Sequence, residues 1–84
     1  MSHQVLLKRS AEKELDALPA SIHKRVVARL LDLEESPRPV GVTKLQGQAS
    51  YRLRVGDYRV LYTIDDTDRL VTIYAVGHRR EVYR

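Results

Sequence analysis

Apolar positions follow two rhythms along this chain, a helical one in the first half and an alternating one in the second. A short run, Val5-Leu6-Leu7, predicts a first strand. Ser10 then stands where a helix N-cap is expected, with Glu12 and Glu14 favourable in the first turn. Ala11, Leu15 and Leu18 form one apolar stripe before Pro19 stops the run. Ser21 is placed to cap a longer helix reaching Glu35, with Ile22, Val26, Leu30 and Leu33 in its stripe, widened by Val27 and Leu31. The short link Pro19-Ala20-Ser21 predicts that the two helices form a hairpin.

Ser36-Pro37-Arg38-Pro39 ends the second helix, and the stretch to Ser50, with Gly41, Gly47 and few apolar residues, predicts a loop that carries Lys44. From Tyr51 onward the runs Tyr51 to Val55, Tyr58 to Ile64 and Leu70 to Val76 are rich in Val, Ile, Tyr and Thr and predict strands. Asp65-Asp66-Thr67-Asp68 turns the second into the third. The order β-α-α-β-β-β predicts a single α+β domain over residues 1–84. Its mainly antiparallel four-stranded sheet would carry the helical hairpin on one face.

A two-residue turn at Gly56-Asp57 pairs Val55 with Tyr58 and sets Arg54 opposite Arg59. Tyr51, Leu53, Val55, Tyr58, Val60 and Tyr62 then share the face that accepts the helices, while Arg52, Arg54, Arg59 and Leu61 share the other. Like charges facing each other across a ladder destabilise a sheet. A fold that keeps them either gives them an anion to hold, pairs each with an acid such as Glu34, or leaves both in water.

Charge sharpens this picture. The net charge is +4 with a pI near 9.7. Seven basic residues meet six acidic ones up to Thr43, and eight meet five after it. Asp65, Asp66 and Asp68 share one turn, so the strands and the tail Gly77-His78-Arg79-Arg80-Glu81-Val82-Tyr83-Arg84 are strongly basic. That asymmetry favours a polyanionic partner, and RNA phosphate suits arginine, whose planar fork grips two oxygens at once.

With no cysteine in the chain, thiolate-bound zinc, iron–sulfur clusters, disulfides and a cysteine nucleophile are excluded. His3, His23 and His78 are scattered without metal-ligand spacing, so neither a metal nor another cofactor is expected. No run approaches the roughly 18 apolar residues of a membrane span, and Met1-Ser2-His3-Gln4 does not open a secretory signal; the expectation is a cytoplasmic protein without a membrane partner. Tyr51, Tyr58, Tyr62 and Tyr74 lie within strands and read as core, whereas Tyr83 lies beyond the last strand among arginines.

The order of elements and the stretches Tyr51-Arg52-Leu53-Arg54, Gly56-Asp57-Tyr58-Arg59-Val60-Leu61-Tyr62 and Gly77-His78-Arg79-Arg80-Glu81-Val82-Tyr83 resemble the RelE branch of the RelE/ParE toxin superfamily. The resemblance spans nearly the whole chain. It implies a toxin of a toxin–antitoxin pair, an endoribonuclease that cuts messenger RNA in the ribosomal A site and is silenced by its cognate antitoxin. The family's basic pair on the first hairpin strand falls on Arg52 and Arg54, its Gly-x-Tyr-Arg arginine on Arg59, the arginine after the turn glycine on Arg79, and its C-terminal tyrosine on Tyr83.

On that basis Tyr83 would take the proton of an RNA 2′-hydroxyl, its pKa lowered by nearby arginines. Arg59 would stabilise the phosphorane and Arg79 the leaving oxygen, while Arg52 and Arg54 hold backbone phosphate. Lys44, His78 and Arg80 would add RNA contacts. The general acid is left open between His78, a water and a ribosomal group. The same scaffold also serves a ParE-like alternative, a non-enzymatic inhibitor of DNA gyrase, and a plain RNA-binding module is a third.

Overall fold

The computed structural model describes residues 2–45, 47 and 49–78. Its elements are β1 (Gln4–Leu7), α1 (Arg9–Asp16), α2 (Ala20–Glu35), β2 (Thr43–Lys44), β3 (Ser50–Val55), β4 (Tyr58–Asp65) and β5 (Leu70–His78). The sheet has five strands rather than four, in the order β1-β5-β4-β3-β2, with β1 parallel to β5 and every other pair antiparallel. The additional strand is β2, inside the stretch expected to be loop. Thr43 sits opposite Arg52 and Lys44 opposite Tyr51, and the Leu45 amide donates to the Ser50 carbonyl at 2.9 Å. Two residues are too few to show any periodicity, so β2 exists because β3 offers it a partner.

The helices start earlier than their serines suggested. Lys8 and Pro19 hold the N-cap positions, neither with a side-chain cap, and Ser10 and Ser21 lie one residue inside. Both cap carbonyls accept the first helical bonds, from Glu12 and His23. Pro19 suits its place because its locked φ, here −55°, leads into a helix and the amide it lacks would have no helical partner.

One face of the sheet carries the main core. Ala11 and Leu15 from α1 and Val26, Leu30 and Leu33 from α2 close over Leu53, Val55, Val60, Tyr62, Val71, Ile73 and Val76. Leu31, expected to widen the α2 stripe, is 58% exposed because it projects about 100° around the helix from Leu30. The far side of the sheet holds a second, smaller cluster of Leu61 and Ala75 with Leu45 and Tyr74 against it.

A bulge explains how β5 serves both clusters. Leu61 pairs with Ala75 but Tyr62 pairs with Ile73, leaving Tyr74 as the extra residue. Ile73 and Val76 therefore both reach the helix side despite their opposite parity. Tyr74, expected as a core residue, packs on the Leu61 cluster on the far side of the sheet.

Candidate functional site

The Gly56-Asp57 turn determines the site. Gly56 has φ +60° and Asp57 no positive φ, the arrangement in which glycine is required at the first central position of a two-residue hairpin. The register that follows is the expected one: Val55 opposite Tyr58, Arg54 opposite Arg59, Leu53 opposite Val60 and Arg52 opposite Leu61. Arg52, Arg54 and Arg59 thus stand on the sheet face away from the helices. Gly77, opposite Arg59 on β5, contributes no side chain there, while Leu61 and Ala75 on the same face are buried with Tyr74 packed against them.

None of these three arginines has a carboxylate within ion-pair distance among the described residues. Arg54 is exposed and its Nε donates to the Gly56 carbonyl at 3.3 Å; Arg52 and Arg59 are half-buried. Pairing with Glu34 does not occur. An opposed cationic pair costs a few tenths of a kcal/mol to about 1 kcal/mol in a sheet, and a bound anion reverses the sign of that contribution.

Two residues expected to join the site lie elsewhere. Lys44 faces Tyr51 in the ladder and so belongs to the helix side of the sheet. His78 faces Tyr58, also on the helix side, and is the last residue of β5 rather than part of a turn. The two rings meet edge to face with centroids 5.5 Å apart. Arg79, Arg80 and Tyr83 lie outside the described residues.

The strongest electrostatic coupling occurs at the opposite end of the strands. Arg38 donates to both carboxylate oxygens of Asp66, at 3.2 and 2.8 Å, and its Nε donates to the Tyr51 hydroxyl at 3.1 Å. The Arg38 hydrogen bonds hold the Asp66 carboxyl below its ordinary pKa, and the Asp66 contact raises that of Arg38. His3 adds a 3.4 Å contact to Asp66. Beneath them the Tyr62 hydroxyl donates to the Pro37 carbonyl at 2.8 Å, and burial pushes its pKa up to about 12. These groups tie the N-terminus, the segment after α2 and the β4–β5 turn together. They lack the open cationic surface of the other end.

A family model described as the ParE toxin of type II toxin–antitoxin systems, parDE, matches residues 5–83. The chain belongs to the RelE/ParE superfamily of type II toxins. It is 36% identical over 86 residues to Toxin RelG of Mycobacterium tuberculosis, covering 100% of this chain and 99% of that protein. The toxin–antitoxin complex RelBE2 from the same organism contains a chain with a TM-score of 0.84 and 33% identity, over 94% of this chain and 100% of that one. The archaeal RelE–RelB complex from Pyrococcus horikoshii gives a TM-score of 0.85 at 31% identity, over 98% and 100% of the two chains. The RelE-type architecture is therefore shared along almost the full length of the toxin.

Among the described residues, no helix is long and apolar enough to cross a membrane, and no three His, Asp or Glu side chains gather as metal ligands. Sequence reasoning missed two arginines of α2, Arg25 and Arg29, which line a cavity beside the Gly56 turn. Their signal was present as two arginines one helical turn apart, but nothing in the sequence said which strand end α2 would cross.

Proposed function

We propose that this toxin is a metal-independent endoribonuclease that cuts messenger RNA in the ribosomal A site, acts in the cytoplasm and is neutralised by a cognate antitoxin. The observation that carries this reading is the cross-strand pair Arg54 and Arg59, flanked by Arg52 and lacking acidic partners among the described residues. Such a face suits RNA, offering guanidinium groups that pair with its phosphates. The antitoxin follows from the structural relatives, which are toxin–antitoxin complexes.

In the reaction, the 2′-hydroxyl attacks the adjacent phosphate, the P–O5′ bond breaks, and a 2′,3′-cyclic phosphate and a 5′-hydroxyl result. Arg59 neutralises the equatorial oxygens as charge builds on them, and Arg52 and Arg54 hold flanking phosphate. Tyr83 as phenolate accepts the 2′-hydroxyl proton, Arg79 stabilises the leaving oxygen and Arg80 adds a backbone contact. Lys44 and His78, on the other side of the sheet, have no part in this site, so the proton for the leaving oxygen comes from water or a ribosomal group. A phenol is a weak base near neutrality, so positioning by the ribosome supplies much of the rate.

Primer extension on a message translated in the presence of the toxin tests this. Wild type gives codon-phased cuts, and Arg59→Ala, with an unchanged melting profile, reduces them by about 100-fold or more, as expected for loss of a transition-state charge partner. Full cutting by folded Arg59→Ala refutes the assignment. The parDE description of the matching family model favours a second reading, inhibition of DNA gyrase without chemistry. Under it, induction produces DNA damage and no phased cuts.

A further inference from the structure

The basic surface continues past the sheet. On the helix side of the β3–β4 turn, α2 and the end of β3 enclose an open cavity of about 280 Å³, lined by Arg25, Ala28, Arg29, Arg54, Val55 and Gly56. Arg25 and Arg29 are four residues apart and so lie on one face of α2. Ala28 and Val55 provide an apolar floor. Arg25 reaches over the turn, its Nη1 in ordinary contact range, 3.5 Å, of where a Cβ on Gly56 would stand. The hydrogen bond from Arg54 to the Gly56 carbonyl holds the third guanidinium at this rim, so Arg54 belongs to both the sheet face and the cavity.

Charge around this cavity is poorly balanced. Among the described residues, Arg25 and Arg54 have no carboxylate within ion-pair distance, and Arg29 has only exposed Asp32, at 3.9 Å. Three cations against one acid is an arrangement that an anion relieves. The planar forks suit a phosphate, and the floor between them suits a ribose or base edge.

We propose that the cavity is a subsite for a phosphodiester of single-stranded RNA, extending the RNA path from the arginine face around the hairpin turn onto α2. The identity of the strand rests on the RNA-cutting reading, whereas the preference for phosphate does not. RNA fits better than an acidic peptide because Arg54 is shared: a backbone held on the sheet face by Arg54 already lies at the cavity mouth.

Two measurements test the subsite with the full chain. Inorganic phosphate titrated into wild type should shift the Ala28, Val55 and Gly56 amide resonances saturably, and these shifts should vanish in Arg25→Gln/Arg29→Gln. Absent shifts in wild type overturn the phosphate subsite whatever the toxin cuts. In the second measurement, a 2′-O-methyl oligonucleotide, which lacks the attacking hydroxyl, is bound at a series of salt concentrations. The double variant should lose about 10-fold in affinity and about 0.7 to 1.4 in the slope of log K against log salt, the loss of one or two phosphate contacts. Arg25→Lys/Arg29→Lys should restore the slope.

An unchanged slope, with weakened binding of an acidic antitoxin segment instead, overturns the proposal in favour of a protein partner. If the double variant melts abnormally, single Arg25→Gln carries the same comparison. Phosphate-dependent shifts together with a fully active Arg59→Ala would leave the subsite standing and refute only the cleavage mechanism.

Discussion

Tyr62 is fully buried, yet its hydroxyl is satisfied by the Pro37 carbonyl. Tyr62→Phe keeps the ring and strands that acceptor, so it should lower stability by about 1 kcal/mol, read from the urea midpoint. Its folded pKa is raised to about 12 from an ordinary value of 10.0. The protonated form is thus favoured by folding, and its contribution is complete below pH 10 and declines as pH rises toward about 12. Phenolate absorbance and unfolding should coincide in that window for wild type, and the alkaline slope should flatten in Tyr62→Phe. Asp66 has the opposite sign. Its folded pKa is depressed, so its contribution is present above the unfolded carboxylate value and disappears as pH falls through the folded one. Asp66→Asn should melt lower than wild type near neutrality, with the difference shrinking in acid; a constant difference would show that Arg38 does not distinguish the charged form.

At the level of elements, β5 is longer than the partner that covers its edge. β1 stops at Leu7, the Lys8 amide reaches the Ile73 carbonyl at 2.9 Å, and beyond that point the Val76 amide is received by Glu14 of α1, also at 2.9 Å. A helix side chain thus replaces a missing strand. Glu14→Ala should cost about 1 kcal/mol and hasten hydrogen exchange at the Val76 amide, whereas Glu14→Gln, which keeps an acceptor oxygen, should do less of both. Unchanged exchange in Glu14→Ala would mean that water serves equally well. What the sequence revealed about these elements follows the same physics. The Gly56-Asp57 register was legible because a two-residue turn leaves one pairing, and with it came the arginine face. The β5 register was not, since a bulge at Tyr74 resets the alternation and depends on packing from both sides. Lys44 and His78 had no legible face, because each needed a ladder partner, Tyr51 or Tyr58, that no local pattern names.

For the whole molecule, the two ends of the strands have different tasks. One is fastened by Arg38, Asp66, Tyr51 and His3 and contributes cohesion. The other gathers Arg25, Arg29, Arg54 and Arg59 around the hairpin turn and remains open. The parallel pairing of residues 4–7 with residues 70–73 adds a temporal consequence. The first strand made must wait for the last, and β5 is also the neighbour that β4 needs, so the sheet cannot close on a nascent chain until that segment has left the exit tunnel.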